Sequence, residues 1–268
     1  MPVSSTSASA RIECRVTETA ELVFSVAVAS GPHVTGERLD CTLDGRPFRL
    51  DEVGVEDGGR LHVARQVPPG NLVLDYGATA GSPVSAAPVA AAEAIALLRP
   101  SRYCESDRLA VPATRLFEGV EGQALVDAVV TWVHDHTLYV PGSSGPTDGA
   151  VDTFLSGEGV CRDYAHVVIA LLRARGVPAR LVSVYAPGLW PMDFHAVVEV
   201  AIDGRWQLVD ATRLAPRASM VRIATGRDAA DTAFLNVHSG RVDFGSVQVS
   251  AVALPGLPLD DPRVPVHL

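Results

Sequence analysis

Cys161 is the side chain in this sequence best placed for nucleophilic chemistry. It lies in the run Gly157-Glu158-Gly159-Val160-Cys161-Arg162-Asp163-Tyr164-Ala165-His166, and Ala165, Val168, Ile169 and Leu172 follow at helical spacing. Gly176 and then Pro178 supply a stop. The pattern predicts a helix over residues 159–175 with Cys161 in its first turn. There the free backbone N–H groups and the helix dipole favour a negative charge, and so the thiolate that attacks. The same N–H groups can hold an oxyanion. The glycines before it let the backbone turn sharply and leave the sulfur accessible. Taken alone, a free cysteine is more commonly a small buried hydrophobe. Cys14, Cys41 and Cys104 keep that reading, because no such helix follows them.

A thiol nucleophile needs a base, and the base needs an orienting group. The segment from Phe194 to Ile202, the dipeptide Asp203-Gly204 and the segment from Arg205 to Thr212 read as two strands joined by a two-residue turn. That turn sets Ile202 opposite Arg205, hence Val197 opposite Asp210 and His195 opposite Thr212. His195, Val197 and Glu199 then share a face with Leu208, Asp210 and Thr212. Asp210 becomes the diagonal neighbour of His195, at a Cβ separation of roughly 7 Å or less. A carboxylate there can fix the imidazole tautomer and stabilise the imidazolium, leaving the other ring nitrogen for the thiol. A cross-strand ion pair without chemistry is the plainer alternative.

The rest of the chain has to position these three. Residues up to about 76 are rich in short strand-like runs, at 12–16, 22–29, 39–43, 61–67 and 72–76. They are punctuated by Asp44-Gly45 and by Pro68-Pro69-Gly70-Asn71. They predict a β-rich N-terminal domain over residues 1–80. A linker follows over 81–100, with a short helix near 90–98, and then a catalytic domain over 101–268. Within that domain a helix is predicted over 122–136 and strands over 179–185, 194–201 and 205–211. One more strand-like run lies near 242–252, ahead of an extended, exposed Pro-rich tail.

Composition narrows the function classes. The 268 residues carry a formal net charge of −9 and are 47% hydrophobic. That balance argues against a nucleic-acid partner, which requires a basic face. All 22 basic residues are arginine, so an enzyme joining acyl groups to lysine amines would find no acceptor side chain in this chain. Four dispersed cysteines without a CxxC pair argue against a disulfide framework or a structural zinc site. The Ser- and Ala-rich start has neither the basic nor the apolar region of a signal peptide, and no apolar run spans a membrane. A cytoplasmic protein without a membrane partner is expected.

At this level of detail the sequence resembles the bacterial transglutaminase-like family. The likeness rests on Gly159-Val160-Cys161-Arg162-Asp163-Tyr164-Ala165-His166, on Gly176-Val177-Pro178-Ala179-Arg180, on Asp193-Phe194-His195-Ala196 and on Trp206 with Asp210-Ala211-Thr212. Flanking patterns at Pro100-Ser101-Arg102-Tyr103 and between Val221 and Asp231 extend it over roughly residues 100–240. The resemblance implies an α+β, papain-like core in which the cysteine helix packs on an antiparallel sheet, preceded by a small β-rich domain. It implies a Cys161–His195–Asp210 catalytic triad acting by acyl transfer on amide or peptide bonds through a thioester. The outcome is either hydrolysis, as in a thiol protease or amidase, or transamidation, as in an acyltransferase. The substrate would be a peptide, a protein or a small amide. The alternative is a protein-binding module that reuses the fold without catalysis; its mark would be loss of a triad member, and all three are present.

Further residues take supporting roles on this reading. The second oxyanion donor would come from an upstream segment, with Tyr139 preferred over Ser143, Ser144 and Trp132. Trp190 and Met192, on the loop entering the His195 strand, would line the substrate groove or pin that loop. His166 falls about 140° from Cys161 around the helix and is structural rather than the base. Asp163 complements the helix dipole. His134 and His136 read as a polar helix end. Arg222, Arg227, Asp228 and Asp231 form a charged cluster, either an ion network or a contact for a charged substrate. Cys161, His195 and Asp210 could ligate zinc, but a helix-start cysteine suits nucleophilic work without metal, so no metal or cofactor is expected.

Overall fold

Alternation of small residues opens the chain. Ser5-Thr6-Ser7-Ala8-Ser9-Ala10 has a period of two, and its buried members continue through Ile12, Cys14 and Val16. This makes one long strand, β1 (Ser5–Phe24), where the sequence predicts two short ones. The small side chains hide the hydrophobic alternation, since Ser and Ala differ little in apolar bulk. The computed structural model describes residues 3, 5–55, 58–81 and 88–268. Residues 1, 2 and 4 of the expected polar start, and 82–87 of the expected linker, lie outside the described residues.

The strands β2 (Val34–Leu43), β3 (Arg46–Pro47), β4 (Asp51–Gly54), β5 (Arg60–Val67) and β6 (Gly70–Gly81) complete the N-terminal part. Asp44 and Gly45 take positive φ, 48° and 74°, in the expected hairpin turn between β2 and β3. β6 pairs with residues 5–16 of β1, and β5 with residues 20–24. Pro68-Pro69 separates them, because proline has no N–H to continue the ladder. The second partner of β1 comes from the far end of the chain: β13 (Leu235–Leu254) pairs with it antiparallel from Ser5↔Leu254 to Phe24↔Leu235.

Between these come α1 (Ala91–Ala96), α2 (Ala110–Leu116), α3 (Gly122–His136), β7 (Leu138–Tyr139), α4 (Ala150–Ser156), β8 (Glu158–Gly159) and α5 (Cys161–Ala174). The strands β9 (Ala179–Tyr185), β10 (Phe194–Ile202), β11 (Arg205–Val209) and β12 (Val221–Gly226) form an antiparallel sheet in the order β11-β10-β9-β12. The short α6 (Ala229–Thr232) follows β12. α5 is buried from Asp163 to Arg173, with Val168, Ile169, Leu171 and Leu172 in one cluster with Leu181, Val198 and Val200 of the sheet and Val129 and Val133 of α3. A helix enclosed this way cannot drift, so its first residue is held in place. The fold is α+β, with the cysteine helix packed on an antiparallel sheet beside a β-rich N-terminal part.

The two sheets are locked together by Tyr185 at the end of β9. It is fully buried among Phe24, Val26 and Tyr76, and its hydroxyl donates to the Val26 carbonyl at 2.8 Å. The segment after β13 is extended and largely exposed, as expected, but it is tied down. Arg217, buried, donates to Asp260 and to the Asp261 and Val264 carbonyls. The Leu208 N–H donates to Val266 O at 2.7 Å.

Candidate active site

Cys161 is the first residue of α5, with Val160 as N-cap. Asp163, at the third helical position, accepts the Val160 N–H at 2.8 Å and the Ser144 hydroxyl at 2.9 Å, and it pairs with Arg162. This carboxylate closes the helix end on which the sulfur sits and is itself buried. Gly159 is required by the same cap: a Cβ at that position would stand 2.6 Å from Asp163 Cβ. Gly159→Ala should therefore push the carboxylate off the helix start and cost roughly 1–2 kcal/mol, the range of a lost N-cap. A denaturant titration of the variant beside wild type measures that loss.

His195 and Asp210 meet as the hairpin register demands. Asp203 and Gly204 take φ of 49° and 72°, and Ile202 pairs with Arg205. His195 Nε2 lies 2.9 Å from Asp210 Oδ2, with both side chains buried. The other carboxylate oxygen accepts the Thr212 N–H at 2.8 Å and the Thr212 hydroxyl at 2.7 Å. Burial alone would favour neutral imidazole. The charge and hydrogen bond of Asp210, with a further contribution from Cys161, outweigh it and push His195 up to about 10. Burial likewise acts against the Asp210 carboxylate, but His195 and Thr212 together hold its pKa below the ordinary value.

His195 Nδ1 is buried without a hydrogen-bond partner among the described residues. With Nε2 taken by Asp210, Nδ1 is the nitrogen left for the thiol. Cys161 is partly exposed, whereas Cys14, Cys41 and Cys104 are buried. Burial pushes Cys14 up to about 11 and Cys41 up to about 12. A neutral thiol reagent should thus modify Cys161 in the native protein and reach the other three only after unfolding. Mapping the labelled peptides under both conditions checks this, and native labelling of Cys14, Cys41 or Cys104 would contradict it.

Of the upstream donors considered from sequence, the structure brings Tyr139 beside the segment that leads into Cys161. The parallel pair β7–β8 sets Tyr139 beside Gly159, two residues before the cysteine. Cys161 bears on the acidity of the Tyr139 phenol. Burial first, and then Cys161, push the phenol up to about 12, so it remains a proton donor at ordinary pH. Ser143 and Ser144 do not offer their hydroxyls to the thiol site: one donates to Val140 O at 2.8 Å and the other to Asp163. Trp132 stacks on His136 and Phe154, with ring centroids 4.5 and 5.3 Å apart. These three support the local structure, because their polar or aromatic groups are engaged elsewhere.

The two loop residues part company. Met192 packs into the core, whereas Trp190 is 88% exposed. His166 is buried, stacks on Tyr103 and accepts the Ala229 N–H through Nε2. The charged residues that follow the Asp210 strand do not form one cluster. Arg222 pairs with Glu199, Arg227 pairs with Asp231, and Asp228 accepts the Tyr103 and Ala230 N–H groups.

Two residues of the site have tasks that sequence reasoning misses. Thr212 falls on the predicted face, and its bonds to Asp210 are signalled by Asp210-Ala211-Thr212, the spacing at which a carboxylate accepts the N–H two residues on. His134 bonds the Ala211 carbonyl through Nδ1 at 2.8 Å and so steadies the segment carrying Asp210. Nothing local in sequence links those two positions.

A helix that starts at a cysteine and packs on an antiparallel sheet carrying an imidazole–carboxylate pair defines the papain-like class of folds. The comparisons agree. The model of the transglutaminase-like superfamily matches residues 116–211. A candidate cysteine protease from Cytophaga hutchinsonii, known from its crystal structure, is 31% identical, with a TM-score of 0.88 over 97% of this chain and 94% of that one. The uncharacterized protein ML0607 of Mycobacterium leprae is 30% identical over 159 residues, covering 54% of this chain and 56% of its own length. The chain therefore spans little more than half of that relative. The protein belongs to the transglutaminase-like superfamily.

Proposed function

We propose that this protein is a cysteine-dependent enzyme acting by acyl transfer on amide or peptide bonds, with Cys161 as nucleophile, His195 as acid and base, and Asp210 as the group that orients the imidazole. The observation that carries the reading is the buried 2.9 Å contact of His195 Nε2 with Asp210, which leaves Nδ1 without a hydrogen-bond partner among the described residues and so free for the thiol. The description of the Cytophaga hutchinsonii protein as a candidate cysteine protease supports it.

The thiolate attacks the carbonyl carbon and a C–S bond forms. The oxyanion is held by the Cys161 backbone N–H and the Tyr139 hydroxyl. His195 then gives its Nδ1 proton to the departing nitrogen, the C–N bond breaks, and a thioester remains. In the second half His195 takes a proton from water, which attacks the thioester; the C–S bond breaks and the acid leaves. An amine in place of water gives transamidation. Hydrolysis is the favoured outcome, because the thiol is partly exposed to water.

The test is to incubate the protein with a library of amides and peptides, quench in acid and weigh it intact. An acyl group on Cys161 that is missing in Cys161→Ala, with release of free acid, is the expected result. Acyl transfer to added amines without free acid would replace hydrolysis by transamidation. Amide turnover with equal acylation of the alanine variant would exclude the mechanism.

A further inference from the structure

β13 runs for 20 residues and pairs with β1 alone among the described residues. β1 is flanked by β6 over residues 5–16, so β13 is an edge strand there. One row of its N–H and C=O groups has no strand opposite, which makes a template for a further strand.

The two halves of this edge differ. The first half carries the devices that keep an edge from pairing. Arg241 and Asp243 put charges on it, and Gly240 takes a φ of 79°. Gly245 is an extra residue between the pairs Glu13↔Ser246 and Cys14↔Phe244, a bulge that breaks the ladder. Over residues 246–253 these devices are missing. The stretch pairs with β1 in unbroken register and contains no charged residue and no proline. Val247, Val249 and Ala251 pack into the core of the sheet. Gln248, Ser250 and Val252 are exposed, Val252 by 52%.

A second copy of the same stretch fits this edge. When the strand runs antiparallel to itself about a two-fold axis on one of its residues, every residue opposes one of the same parity. Core-facing side chains then meet core-facing ones, and exposed meet exposed. No like charges meet, and one contact satisfies both copies. A foreign strand would have to match that alternation, whereas the copy has it by construction. Eight residues from each copy supply about eight backbone hydrogen bonds, close to the roughly ten of a typical protein interface. We propose that residues 246–253 form a homodimer interface, in which two copies join their β13 edges antiparallel into one continuous sheet. The proposal does not depend on the chemistry of Cys161.

Sedimentation equilibrium of the full chain, with amide hydrogen exchange across β13, tests it. Wild type should be dimeric at micromolar concentration, and amides within 246–253 should exchange more slowly as the dimer fills. Ser250→Lys combined with Val252→Lys puts like charges across the axis, on side chains already in solvent. The dissociation constant should rise by about tenfold or more, with an unchanged thermal melt. Should the double variant unfold, Gln248→Lys on the same exposed row takes its place. A wild-type monomer in this range would overturn the proposal. A dimer that leaves those amides unprotected, or that persists undiminished in a folded lysine variant, would overturn it too, because the contact would lie elsewhere.

Discussion

Cys161→Ala is expected to abolish turnover while the protein stays folded. The reasons are separable. In the proposed mechanism sulfur is the atom that forms the covalent bond, and no other thiol can substitute, since Cys14, Cys41 and Cys104 are buried away from solvent. Loss of the nucleophile in a triad removes on the order of 10⁶ in kcat. The fold has little reason to respond. Cys161 is only partly buried, alanine is the best helix former, and the cap on α5 is supplied by Asp163. Turnover together with a thermal melt measures both halves of the expectation. Residual activity near wild type would remove the mechanism.

Asp210→Asn is the second large effect, with a fall in kcat on the order of 10⁴ and the fold retained. The introduced amide could keep its carbonyl oxygen toward the Thr212 N–H and hydroxyl, where Asp210 now accepts both. Its NH₂ would then face His195 Nε2, which would have to accept. The ring proton would move to Nδ1, and the nitrogen that must take the thiol proton would already hold one. The same substitution has a pH signature in stability. His195 is raised from 6.5 to about 10, so its contribution is whole below 6.5 and fades as pH rises through about 10. Asp210 is lowered from 3.8, so its contribution is whole above 3.8 and is lost as pH falls through the depressed value. Both shifts describe one interaction. The stability gap between wild type and Asp210→Asn should thus be widest between about pH 4 and 6.5 and close toward pH 10. Denaturant titrations across that range measure it; a gap that widens with rising pH would contradict the pairing.

Much of this site is legible in the sequence because its determinants are local. Cys161 is set at a helix start by residues within a few positions of it, and His195 is matched to Asp210 by a two-residue turn whose type follows from Asp203-Gly204. The structure reproduces that register, Ile202 opposite Arg205. What stays hidden depends on contacts between distant segments. β13 lies along β1 although more than two hundred residues separate them, and neither strand carries a strong local signature of its partner. Tyr139 comes beside Gly159, two residues before Cys161, through a two-residue parallel pair too short to leave a pattern. Ser143 and Ser144 look equally able to donate to an oxyanion, and only the folded loop engages their hydroxyls elsewhere. His134 holds the Ala211 carbonyl across 77 positions of sequence.

The most direct measurement is the rate of Cys161 alkylation by iodoacetamide across pH, in wild type and in His195→Ala, with the label mapped to the residue. The account predicts fast alkylation well below pH 8 in wild type, since an imidazolium supported by Asp210 sustains the thiolate there. In His195→Ala the rate should fall at low pH and rise only as an ordinary thiol ionises. Superimposable profiles for the two proteins would show that sulfur and ring do not act together.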